Sequence, residues 1–145
     1  MRLWAAFIGL LCALGSTAPA AQAQEFVVIV NKANPTKALS ITELRRIFMK
    51  QSRMWPHADA IVPVDWDAGS PIRQAFSERI MKRSVREMAE FWVQETVTRG
   101  GSPPSTQRSA RAILRFVASV PGAISYVAPG DEDDSVVVIK VSGLP

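Results

Sequence analysis

Asp65-Trp66-Asp67-Ala68-Gly69-Ser70-Pro71-Ile72-Arg73 gathers two carboxylates, a glycine, a hydroxyl and a guanidinium in one short stretch. The chemistry these types can do together is to hold a small anion. The apolar run Ala60 to Val64 reads as a strand, and Asp67 and Gly69 mark a turn after it. Ser70 then stands as a helix N-cap, with Pro71 at the first helical position, where a missing N–H costs nothing. A strand, a turn and a helix start in that order aim free backbone N–H groups and the positive end of a helix dipole at one spot. The candidate ligand-binding residues are therefore Asp67, Gly69, Ser70 and Arg73. The same residues also suffice for an ordinary helix start, in which Asp65 and Asp67 merely cap backbone groups. Both readings stand on this stretch alone.

Other chemistry finds little support. His57 is the only histidine, sits in a polar loop after Trp55-Pro56, and has no nucleophile or orienting carboxylate at a recognisable spacing. It reads as a surface residue. No His/Cys/carboxylate spacing suits zinc. Asp131-Glu132-Asp133-Asp134 lacks the spaced ligands and central glycine of a calcium loop and reads as a solvated hairpin turn. The expectation is a protein that is not an enzyme, with no catalytic residue, no metal and no cofactor. Lys32, Lys37, Arg45, Arg46, Lys50 and Arg53 bring positive charge to the first third of the chain, which reads as a solvated face. Trp55 and Trp92 read as packing residues.

The elements that must position the anion site follow from periodicity. Phe26 to Val30 is a continuous β-branched run, a strand buried on both faces. Ser40-Ile41-Thr42-Glu43 is a capping box, with Leu44, Ile47 and Phe48 at helical spacing and a helix end near Met49. Ile61 to Val64 is the second strand. Ser70 to about Lys82 is a helix with Ile72, Phe76 and Ile80 on one stripe. Ser84-Val85-Arg86-Glu87 is a second capping box, followed by Met88, Phe91, Trp92 and Thr96 on one helical face. Thr98 to Ser105 is a loop, and Ser105 or Thr106 opens a helix that Pro121-Gly122 stops. Ala123 to Val127 and Val136 to Val141 are the last two strands, expected to pair antiparallel across their short turn. The order β-α-β-α-α-α-β-β implies an α/β fold, its sheet covered by helices and its ligands at the carboxyl ends of strands.

Arg2 followed by the apolar run Leu3 to Leu14, with Ala21-Gln22-Ala23 as a small-x-small site, reads as a signal peptide cut after Ala23. A membrane anchor needs about twenty apolar residues, and this run is shorter. The single cysteine, Cys12, lies in that segment, so residues 24–145 carry no thiol chemistry. Those 122 residues suit one domain. Loss of Arg2 takes the formal charge from +4 to +3. No Lys/Arg block is interleaved with aromatics, so nucleic acid is not an expected partner. Small anions, or a charged protein or membrane surface, fit the mild basicity better.

With these residues in view, the chain resembles the phosphate-type solute-binding proteins of bacterial ABC transporters, in the periplasmic binding protein-like II superfamily. The matching stretches are Val28 to Pro35, Leu39 to Phe48 with Trp55, Ile61 to Val64, Gly69-Ser70 with Arg73 and Phe76, and Gly122 to Val127. The short, stand-alone members of that group, about one lobe in size, are the best match. The resemblance implies a single lobe of periplasmic binding protein type II, with a mixed sheet of four or more strands and about four helices. It implies a periplasmic location and binding of phosphate or a similar oxyanion, in connection with phosphate uptake or sensing. In transport-type relatives an Arg precedes the turn and Gly-Ser-Gly-Thr holds the phosphate. Here Trp66 stands for that Arg, Pro71 for the second Gly and Ile72 for the Thr. The cradle is thinned, and one lobe cannot bury an anion between two, so binding is expected to be weak. The alternative is a periplasmic interaction module that keeps the fold, has lost anion binding and docks a periplasmic or membrane protein. The residues leave the oligomeric state open.

Overall fold

Residues 25–144 are described by the structure, a computed structural model. The expected signal peptide and its cleavage site fall outside the described residues. The chain forms a six-stranded mixed sheet with helices against it: β1 (Val27–Asn31), β2 (Ala38–Ser40), α1 (Ile41–Phe48), β3 (Val62–Trp66), α2 (Pro71–Phe76), α3 (Val85–Arg99), β4 (Ser105–Gln107), α4 (Ala110–Ser119), β5 (Ala123–Val127) and β6 (Val136–Ser142). The strand order is β2-β6-β1-β5-β3-β4. β1 runs antiparallel to both of its neighbours, β5 and β6, while β2, β3 and β4 pair parallel with theirs. Five strands thus point one way, and β1 alone opposes them.

This corrects the expected hairpin of the last two strands. β5 and β6 do not pair; both hydrogen-bond to β1, which lies between them. The segment Ala128 to Ser135 therefore runs back across β1 as a crossover rather than a two-strand turn. The physical reason is burial. β1 is apolar on both faces and needs a ladder partner on each side, and β5 and β6 are the two apolar runs available to it. A second correction concerns Ser105 and Thr106. They lie in the short edge strand β4, and α4 starts only after the Ser109 N-cap, whose hydroxyl accepts from Ala112 N. Three polar residues, two of them exposed, carry too little periodicity to announce a strand.

α1 and α3 begin as their sequences dictate. Ser40 and Ser84 form complete capping boxes, each with its hydroxyl accepting from the N3 backbone and the N3 carboxylate accepting at 2.7 Å from the cap N–H. α2 passes into a π-type turn, Ser77–Met81, that ends at Lys82 in the left-handed region. Arg45 Nε donates to Ile80 O (2.7 Å) and steadies that turn from α1. Ile72, Phe76 and Ile80 are buried along one stripe, as their spacing requires. At the centre, Tyr126 of β5 stacks on Phe76 with ring centroids 3.8 Å apart, and Phe26 and Phe48 close around them. α4 lies along β1 and β5, and Asn31 Nδ2 donates to Val117 O and Ala118 O, closing carbonyls at its end. Trp55 is buried and donates to Gly122 O, while His57 is half-buried and stacks on Trp55.

The capping boxes carry a pH signature. Bonds from the Ser40 and Ser84 backbones hold the Glu43 and Glu87 carboxyls below the usual carboxylate range. A carboxyl with a lowered folded-state value contributes stability above its unfolded value, and that contribution is lost as the pH falls through the folded one. Glu→Gln at both positions keeps an acceptor but cannot titrate. The double variant is expected to lose less melting temperature than the parent between about pH 6 and pH 3, read by circular dichroism. Equal losses in the two proteins would contradict this.

Candidate functional site

β2, β3 and β4 run parallel and each leads into a helix, so α1, α2 and α4 all start at one edge of the sheet. The Asp67–Ser70 turn sits on that edge. Its position depends on how β3 meets β5. The backbone register between them covers only Val62–Ala123 and Pro63–Ile124. Pro63 has no N–H to give, and beyond it side chains take over the bridging. Ser125 Oγ donates to Val64 O (2.7 Å), and Trp66 Nε1 donates to Tyr126 O (2.7 Å). Trp66 is thereby drawn into the sheet and buried.

Asp65 is the residue that the sequence reading placed least well. It is not a cap at the surface. Its side chain is buried, with Oδ1 accepting from Trp66 N (2.9 Å) and from the Tyr126 hydroxyl, and Oδ2 lying 2.7 Å from Arg73 Nη1. Burial pushes the Asp65 carboxyl above the usual carboxylate range, while Arg73, the Tyr126 hydroxyl and the Trp66 N–H pull the other way. Burial and the Asp65 carboxylate together push the Tyr126 phenol well up. Tyr126 was the missed member of this cluster. A charge at the end of an otherwise apolar strand was the available signal, since a buried carboxylate must find a cation and donors.

The structure divides the four expected ligand residues. Asp67, Gly69 and Ser70 meet in the turn, where Ser70 N donates to Asp67 O (3.0 Å) and Gly69 N lies 3.4 Å from Asp67 Oδ2. Arg73 does not line the cavity over this turn and borders the groove along Ala89, Trp92 and Val93 of α3 instead. Its side chain is only 13% exposed, and Nη1 is engaged by Asp65 and by Trp66 O (2.9 Å). It supports the turn through these bonds. Ser70 has the extended backbone of an N-cap, yet its hydroxyl accepts no cap bond from α2. The caps of α1, α3 and α4 all close on their own helices. Ser70 Oγ and the first-turn N–H groups of Ile72 and Arg73 are thus not taken up by an N-cap bond.

Above the turn opens a shallow cavity of about 270 Å³, lined by Ala68, Gly69, Ser70, Pro71, Gln74 and, from the start of α3, Ser84, Val85 and Arg86. The N-termini of two helices border one space, which places two positive dipole ends there. No local pattern in the chain announces that α3 begins beside α2. Glu78 also lines the cavity, its carboxylate accepting from Gln74 Nε2. Among the described residues, no group of three or more His, Cys, Asp or Glu is placed to hold a metal ion, and no helix is long and apolar enough to cross a membrane.

The fold is that of a periplasmic binding protein lobe, and its structural neighbours are phosphate ABC transporter substrate-binding proteins. An ABC-type phosphate transport receptor from Vibrio cholerae superposes with a TM-score of 0.67 at 20% identity, over 84% of this chain and 48% of that one. A candidate phosphate ABC transporter substrate-binding protein from Clostridium perfringens, with bound phosphate, gives 0.66 at 24% identity, over 84% and 46%. A high affinity periplasmic phosphate-binding protein bound with phosphate gives 0.55 at 15% identity, over 81% and 37%. The chain spans about half the length, or less, of these neighbours. No protein-family model matches the chain, and no curated protein matches it in sequence.

Proposed function

We propose that the protein is an exported, non-enzymatic solute-binding domain that takes phosphate or a similar small oxyanion weakly at the Asp67–Ser70 turn. The observation that carries this reading is the cavity where the starts of α2 and α3 converge over a Ser70 hydroxyl not spent on its own helix. Ser70 Oγ and the N–H groups of Ile72 and Arg73 donate to the anion. Asp67 accepts from the O–H of a protonated oxyanion. Arg73 contributes positive charge from outside the cavity, offset by its pairing with Asp65. Weakness has three physical sources. Pro71 removes an N–H, the Glu78 carboxylate repels the anion, and an open site leaves charges screened by solvent and salt. The binding of phosphate by neighbours of this fold supports the ligand class, and the periplasmic neighbour supports export.

The test is a melting-temperature screen against phosphate, sulfate, molybdate, pyrophosphate and small organic anions. A ligand at a hundred times its Kd stabilises a fold by about 2.7 kcal/mol. One oxyanion is expected to raise the melting temperature of the parent, with the rise abolished in Ser70→Ala. A rise that survives Ser70→Ala would move the site elsewhere. A second reading, an interaction module, is favoured by one observation: the apolar outer face of α3.

A further inference from the structure

α3 is fifteen residues long, yet only Met88 and Trp92 are buried along it. Its outward face carries an apolar stripe among polar residues. Val93 is 67% exposed and Val97 82%. β-Branched residues are indifferent helix formers, so valines at exposed helical positions gain neither propensity nor burial in a lone chain. Successive residues turn by about 100°, which sets Ala89 and Val97 about 40° to either side of Val93, and Arg86 within about 20° of it. The two valines form a ridge. On one side lies an apolar groove of about 470 Å³ walled by Val85, Ala89, Trp92, Pro103 and Pro104. On the other lies a second groove, between the ridge and Arg86, Glu90 and Gln94.

We propose that this face is where a second copy of the chain docks, as a symmetric dimer in which the two α3 helices cross antiparallel at Val93. A two-fold interface requires one patch to complement itself, and a ridge beside a groove does so. In this register Val93 meets Val93, and Val97 of one copy falls on the small Ala89 of the other. Arg86, which pairs with Glu90 at 3.1 Å along its own helix, then falls opposite Gly100, where the other α3 ends in carbonyls and carries the negative end of its dipole. Antiparallel α3 helices also oppose their dipoles. A parallel pair would stack Arg86 on Arg86. The self-complementary spacing and this charge match single out a second copy over an unrelated protein.

Sedimentation velocity of the purified full chain over a hundredfold concentration range tests the proposal. The parent is expected to dimerise, and Val93→Glu and Val97→Glu to give monomers with unchanged helix content. Both side chains point into solvent in the single chain, so neither change threatens the fold. A Val93→Cys variant in a Cys12→Ser background reads the register: oxidation is expected to cross-link it, and not the exposed control Val138→Cys. A parent that stays monomeric throughout overturns the proposal and leaves the face to a different partner. A dimer that survives Val93→Glu, or does not cross-link at Val93, overturns the assigned interface.

Discussion

Asp65→Ala is expected to cost about 3–5 kcal/mol of folding stability, because it leaves the Arg73 guanidinium buried without its counter-charge. The whole domain has about 5–15 kcal/mol to lose. The carboxylate is bound on three sides, by Arg73 Nη1 at 2.7 Å, by Trp66 N and by the Tyr126 hydroxyl. Removing it strands all three donors. The largest part of the loss comes from the orphaned charge, and a second substitution isolates it. Asp65→Leu with Arg73→Met replaces the ion pair by apolar side chains and is expected to recover that part, while the Trp66 N–H and the Tyr126 hydroxyl stay unpaired. Urea unfolding of the three proteins reads the effect. A single variant that loses less than about 0.5 kcal/mol, the usual range of a surface change, would contradict the buried pair.

Gly122→Ala is the second large effect. An added Cβ at Gly122 would stand 1.7 Å from Ala60 O and 2.9 Å from Ala60 C, both backbone atoms that no rotamer change can move aside. Gly122 O also accepts from Val62 N (2.9 Å) and Trp55 Nε1 (3.0 Å). The two segments cross at contact there, and separating them breaks both bonds and uncovers Trp55. The expected result is loss of about 4 kcal/mol or more, seen as failure to accumulate or a collapsed melting temperature. Gly101→Ala is the control, since its added Cβ would find only ordinary contact at 3.6 Å. Equal behaviour of the two variants would contradict the close crossing.

Most of the fold was legible in the chain because the strong elements carry strong periodicity. The apolar runs at β1, β3, β5 and β6, the two capping boxes and the Ile72-Phe76-Ile80 stripe each have one physical interpretation. Sheet order did not have one. The short stretch between β5 and β6 suits a hairpin locally, and only the need of β1 for a partner on each side sends β6 past it. β2 and β4 are three residues each and are strands because a neighbour's ladder offers bonds to them. At the site, the turn and the start of α2 were legible. The fate of Arg73 was not, because it depends on Asp65 and Tyr126 meeting across two strands that are neighbours in the sheet but not in the chain.

A small oxyanion held on the Asp67–Ser70 turn is read by amide-resolved NMR during a phosphate titration. Saturable shifts are expected at the Gly69, Ser70, Ile72 and Arg73 amides, with millimolar affinity and little change along α4 or β6. Shifts centred elsewhere, or none at these four amides up to tens of millimolar phosphate, would contradict it.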